Sequence, residues 1–81
     1  MFIVTRDESN FINLDKIINL CMVKTNDAHW EIRAIYSGSY ITIETFYGET
    51  ECKNTFRKIQ NEIVNGKRFE KDVIYLGSLC E

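Results

Sequence analysis

Between Thr50 and Asn65, Cys52, Phe56, Ile59 and Ile63 recur at i, i+4, i+7 and i+11, with polar residues at almost every other position. That spacing puts one apolar stripe on one face of an α-helix of about four turns. Thr50 offers an N-cap oxygen, Glu51 suits the positive end of the helix, and Gly66 reads as the stop signal. The chain before this helix alternates with the two-residue period of strands. Trp30, Ile32, Ala34 and Tyr36 share one face while His29, Glu31 and Arg33 point away. Ile41, Ile43 and Tyr47 fall on one side of the next strand, with Thr42 and Glu44 on the other. Phe2 to Thr5, Phe11 to Leu14 and Ile17 to Lys24 read as further extended segments, the last with Ile18, Leu20 and Met22 on one face. Asp7 to Asn10, Asn26-Asp27 and Ser37 to Ser39 supply turns. Val73 to Leu76 makes a last short strand that pairs with the first strand or with a second chain.

These elements predict an α+β fold, an antiparallel β-meander of four to five strands packed against one amphipathic helix, as a single domain over residues 1–81. The stripe should cover the Trp30, Ile32, Ile41 and Ile43 face of the sheet. A chain of 81 residues buries about 60% of its unfolded surface. Self-association through an edge strand is a cheap way to bury more, so a homodimer is expected. With 44% hydrophobic and 27% charged residues the composition is globular, and no apolar run approaches a membrane span. The first residues do not read as a signal peptide. The three cysteines, Cys21, Cys52 and Cys80, then read as reduced thiols in a cytoplasmic protein. Frequent Ile, Asn and Lys suggest AT-rich coding, as in a low-GC bacterium or its phages.

The net charge of −2 conceals a polarity: residues 1–52 hold four basic against eight acidic residues, and residues 53–81 hold six against four. Lys53, Arg57 and Lys58 on the helix, with Lys67, Arg68 and Lys71 beyond it, form a basic cluster that could meet a partner or nucleic-acid phosphates. A solvated helix face explains the same cluster more economically.

Other chemistry finds less support. One histidine and three scattered cysteines do not make a zinc site, so no metal and no cofactor are expected. A Cys–His–carboxylate arrangement would need His29 with Cys21 or Cys52. However, His29 sits on the polar face of a strand, and Cys52 lies on the buried stripe, where a thiol acts as a small hydrophobe. Asp7/Glu8 and Glu49/Glu51 are explained by a turn and a helix start. The glycines at 38, 48, 66 and 77 stand singly and cradle no phosphate. No catalytic residue is assigned.

Phe11-Ile-Asn-Leu-Asp-Lys-Ile17, then Tyr47-Gly48-Glu49-Thr50-Glu51, then Phe56 and Ile59 to Ile63 carry a resemblance. They resemble a group of short proteins from Gram-positive bacteria and their phages, similar to a minimal pleckstrin-homology-like sheet plus helix. The pattern spans residues 2–65. The resemblance implies no catalytic residues and suggests a phage or mobile-element accessory protein. The leading expectation is a non-enzymatic protein-interaction module in the bacterial cytoplasm, for example an anti-CRISPR-like inhibitor of a host defence nuclease. The alternative is a nucleic-acid-binding accessory protein using the basic cluster.

Overall fold

In the computed structural model, which describes residues 1–68 and 72–79, strand-prone segments form six strands, β1 (Phe2–Val4), β2 (Phe11–Asn13), β3 (Asn19–Lys24), β4 (Trp30–Tyr36), β5 (Ser39–Phe46) and β6 (Val73–Tyr75). A 3-10 turn (Leu14–Lys16) separates β2 from β3. The long helix α1 (Glu49–Arg68) follows β5, and a short helix α2 (Leu76–Leu79) follows β6. The class is α+β, as the periodicities predict.

The strands divide into two sheets rather than one meander, with orders β2-β1-β6 and β3-β4-β5. The 3-10 turn is the divider. The Asn13 side chain accepts a hydrogen bond from the Asp15 amide at 3.0 Å, which curls the chain out of β2. The last strand pairs within the chain: β6 runs parallel to β1, with Ile3 opposite Ile74. Ile3, Ile12 and Ile74 thus bring one buried row to the core from the small sheet.

The second sheet is a regular antiparallel hairpin series. β4 and β5 are joined by Ser37-Gly38, since Tyr36 pairs with Ser39. Gly38 has φ +81°, a backbone conformation open to glycine at little cost. Ile32 and Ala34 are fully buried, and Trp30 and Tyr36 pack against the same core, as the alternation predicts.

Several assignments differ from the sequence-based expectation; Leu76, for one, begins α2 instead of ending β6. Ile32 pairs with Glu44 and Arg33 with Thr42, so Ile43 is an extra residue on β5, a β-bulge. The bulge shifts the alternation by one position. Phe46 is therefore turned into the core and Tyr47 is 86% exposed, the reverse of the assignment of Tyr47 to the inner face. Ile18 precedes β3 instead of belonging to it and is 71% exposed, although Leu20 and Met22 do pack on the core.

The helix begins at Glu49, not after Thr50, and the Gly48 carbonyl accepts the Cys52 amide at 3.2 Å. It also runs through Gly66 to Arg68. Gly66 continues the inward stripe three residues after Ile63 and is buried. Packing on that face overrides a glycine cost of about 1 kcal/mol in a helix interior. Cys52 and Ile59 are the fully buried members of the stripe, with Thr55 beside them, while Phe56 and Ile63 are partly covered. The helix therefore seals both sheets through Ile59, and Phe56 stands at the edge of the seal.

Candidate interaction surface

The thiols and the imidazole are kept apart by the strand period. Cys52 is sealed in the core, and burial pushes its thiol up to about 11. Cys21 pairs across the sheet with Arg33, on the face opposite Leu20 and Met22. His29 sits before β4 with its ring edge-on to Tyr47, centroids 4.8 Å apart. Among the described residues no three of His, Cys, Asp and Glu group in a way that could hold a metal ion. None of their helices is long and apolar enough to cross a membrane.

The outer face of the second sheet is occupied by its own polar pairs. Arg33 Nε donates to Glu31 at 2.8 Å, Thr42 donates to the same carboxylate oxygen at 3.2 Å, and the Arg33 guanidinium lies 4.1 Å over the Tyr40 ring. Glu31 holds the Arg33 guanidinium above its ordinary value. These contacts leave no unmatched charge between them, and half-buried Cys21, Val23 and Ile35 share the same face.

The two flanks of α1 differ. On one, Glu51, Asn54, Thr55 and Lys58 face Arg6, Tyr47 and Leu79 across a polar cleft of about 450 Å³. Lys58 Nζ donates to the Leu79 carbonyl at 3.1 Å, so it ties α1 to α2. On the other flank, α1 and the segment entering β3 enclose a groove of about 400 Å³. Leu14, Ile17, Leu20, Phe56 and Ile63 supply its apolar walls. Ile18 stands on its rim. Gln60 lines it from the helix side. At 3.6 residues per turn, Lys53, Arg57 and Val64 are the i−7, i−3 and i+4 neighbours of Gln60 and stand outward of it, beyond the groove lining. All three are exposed, Val64 at 66%. Across the groove, Asp15 pairs with the Met1 amino group at 3.3 Å.

The basic residues singled out in the sequence are thus sorted by the helix. Lys53 and Arg57 stand together on the exposed outer side of α1, beyond Gln60, and Lys58 is on the flank that meets Leu79. Lys67 and Arg68 are the last two residues of α1, and Lys71 lies outside the described residues. Ile18 was read with Leu20 and Met22 on one face of a strand, whereas it stands exposed on the groove rim, and exposed Val64 was not singled out. Their signal was present as apolar residues out of phase, Ile18 directly after Ile17 and Val64 directly after Ile63. No protein-family model, curated protein or solved structure matches this chain.

Proposed function

We propose that the protein is a non-enzymatic interaction module that docks a protein partner through the groove between α1 and β3. The observation that carries this reading is the apolar groove with exposed Ile18 on its rim, next to an outer side of α1 that exposes Val64, Lys53 and Arg57. An apolar centre with a charged rim is the anatomy of a protein-binding patch. The raised thiol of Cys52 supports a structural role for that residue. A nucleic-acid reading has less support, because Lys58 is turned to the opposite flank and tied to Leu79. An accessory protein of a phage or mobile element, acting in the bacterial cytoplasm by occupying a host protein's surface, would need no more than such a patch.

The test is affinity capture from the native host with the wild-type chain and with an Ile18→Glu/Val64→Glu variant. Both positions are exposed, so the variant should fold. A protein held by the wild type and lost by the variant supports the reading. Identical captures by the two chains refute it, as does capture of nucleic acid alone.

A further inference from the structure

The polar cleft on the other flank of α1 shares no lining residue with the groove. Glu51, Asn54 and Lys58 follow one another at i, i+3 and i+7, so they stand in one row on the helix, with buried Thr55 behind them. Glu51 and Lys58 are thus about 10 Å apart along the axis, with Asn54 between them. The opposite wall comes from Thr45, Phe46 and Tyr47 around the end of β5, and from Arg6 and Leu79. The Ile43 bulge turns Tyr47 out of the core and into this cleft, as bulges beside binding sites re-aim a side chain. The Tyr47 ring is 86% exposed, with the His29 ring 4.8 Å away.

The charges of the cleft are separated along its length. Glu51 is in the first turn of α1, next to the chain entering from Tyr47. Lys58 lies two turns further on, where its Nζ is placed by the Leu79 carbonyl at 3.1 Å and carries two more N–H donors. Arg6 adds a second cation, placed beside Glu44 at 3.6 Å. The Arg6/Glu44 pair is neutral as a unit, which leaves one carboxylate at one end and one ammonium at the other. Their complement is a zwitterion with its cation at Tyr47 and Glu51 and its anion at Lys58. A guanidinium suits the first end best, because it stacks on an aromatic ring and donates two parallel hydrogen bonds to a carboxylate. The stretched side chain of a C-terminal arginine separates its guanidinium from its carboxylate by a comparable length. We propose that this cleft binds the C-terminal arginine of a peptide or protein chain. The guanidinium lies on Tyr47 and donates to Glu51. The main-chain N–H of the same residue donates to the Asn54 side-chain oxygen. The terminal carboxylate accepts from Lys58, with the Arg6 charge beside it, and Leu79 borders the aliphatic stem. The site goes beyond the docking groove and does not depend on it.

Acetyl-Gly-Gly-Arg with a free carboxyl end, titrated into the full chain and followed in amide NMR spectra, tests the proposal. It should shift the Asn54 side-chain amide and the backbone amides of Tyr47 and Glu51. The C-terminal amide of the peptide lacks the anion, and its citrulline analogue lacks the cation. Each should bind about tenfold or more weakly. The lysine analogue, which keeps the charge without the planar fork, should fall between. Tyr47→Ala should weaken the acid peptide, and Glu51→Gln should remove the preference for arginine over citrulline. Both positions are exposed, so both variants should fold. No shift at millimolar peptide overturns the proposal. So does equal binding of acid and amide, or an arginine preference that survives in Glu51→Gln. Tighter binding of free arginine than of the peptide assigns the cleft to the amino acid and overturns the chain end. The capture test on Ile18 and Val64 reads the groove alone, so failure at either site leaves the other to its own test.

Discussion

Phe46 and Tyr47 are consecutive, yet Phe46 is sealed in the core opposite Trp30 while Tyr47 stands in solvent against the edge of His29. The bulge at Ile43 sets this, because one extra residue on β5 exchanges the faces of everything after it. Phe46→Ala should cost about 3–5 kcal/mol, the range for deleting a buried ring. Tyr47→Ala should change stability by no more than about 0.5 kcal/mol, as for an exposed position. Denaturant midpoints of the two variants check this. Equal losses would mean that β5 has no bulge.

The helix separates core from rim in the same way. Ile59 is fully buried on the inward stripe, and Phe56 is partly covered and lines the groove. Ile59→Ala should cost about 2–5 kcal/mol. Phe56→Ala removes more atoms but should cost less than Ile59→Ala, because much of that ring already borders open space. The same variant should weaken partner docking. A larger loss of stability at Phe56 than at Ile59 would reverse this assignment.

The periodicities made much of the architecture legible. The stripe Cys52, Phe56, Ile59 and Ile63 gave α1 its inward face, and the alternation Trp30 to Tyr36 gave β4 its own. Three features were hidden for physical reasons. The β5 bulge inserts one residue without a local breaker, so an unbroken period of two runs through it. Gly66 carries a strong stop signal by propensity, but the need for a small buried residue on the stripe decides its place. The parallel pairing of β1 with β6 joins residues some seventy positions apart; the first strand was one of two partners the sequence offered for β6, and nothing in either three-residue strand decides between it and a second chain. The basic cluster was visible as composition. Its division between two flanks was readable in the spacing, since Lys58 follows Arg57 by one residue, about 100° round the helix.

The β1–β2 turn should be sensitive to acid. The Asp7 carboxylate accepts the Ser9 hydroxyl at 2.7 Å, the Ser9 amide at 3.0 Å and the Thr5 hydroxyl at 2.8 Å. These bonds hold its pKa down at about 2, against an ordinary 3.8. Glu8, at φ 59°, depends on that turn. A depressed carboxylate adds stability in full above the unfolded value and loses it as the pH falls through the folded one. The wild-type advantage over Asp7→Asn should therefore be constant above pH 5 and shrink between about pH 4 and 2. Thermal melts of both proteins across that range measure it. Parallel curves down to pH 2 would show that the carboxylate carries no such role.

Cys52 gives the opposite limb. Its thiol is fully enclosed and its pKa is raised from 9.0 to about 11, because burial disfavours the thiolate. Below pH 9 the thiol is neutral in both folded and unfolded chains, and its packing contribution is complete. Between pH 9 and 11 the unfolded chain loses the proton first, so the unfolded state gains and stability falls. The informative quantity is the difference from Cys52→Ala. That difference should narrow from pH 9 to 11 in urea midpoints. The same burial makes Cys52 slow to alkylate in the native state, whereas the half-buried Cys21 should react sooner. Mapping the labelled peptides by mass spectrometry separates the two sites. Native labelling of Cys52 as fast as in urea would place the thiol at the surface and remove the inward face assigned to α1.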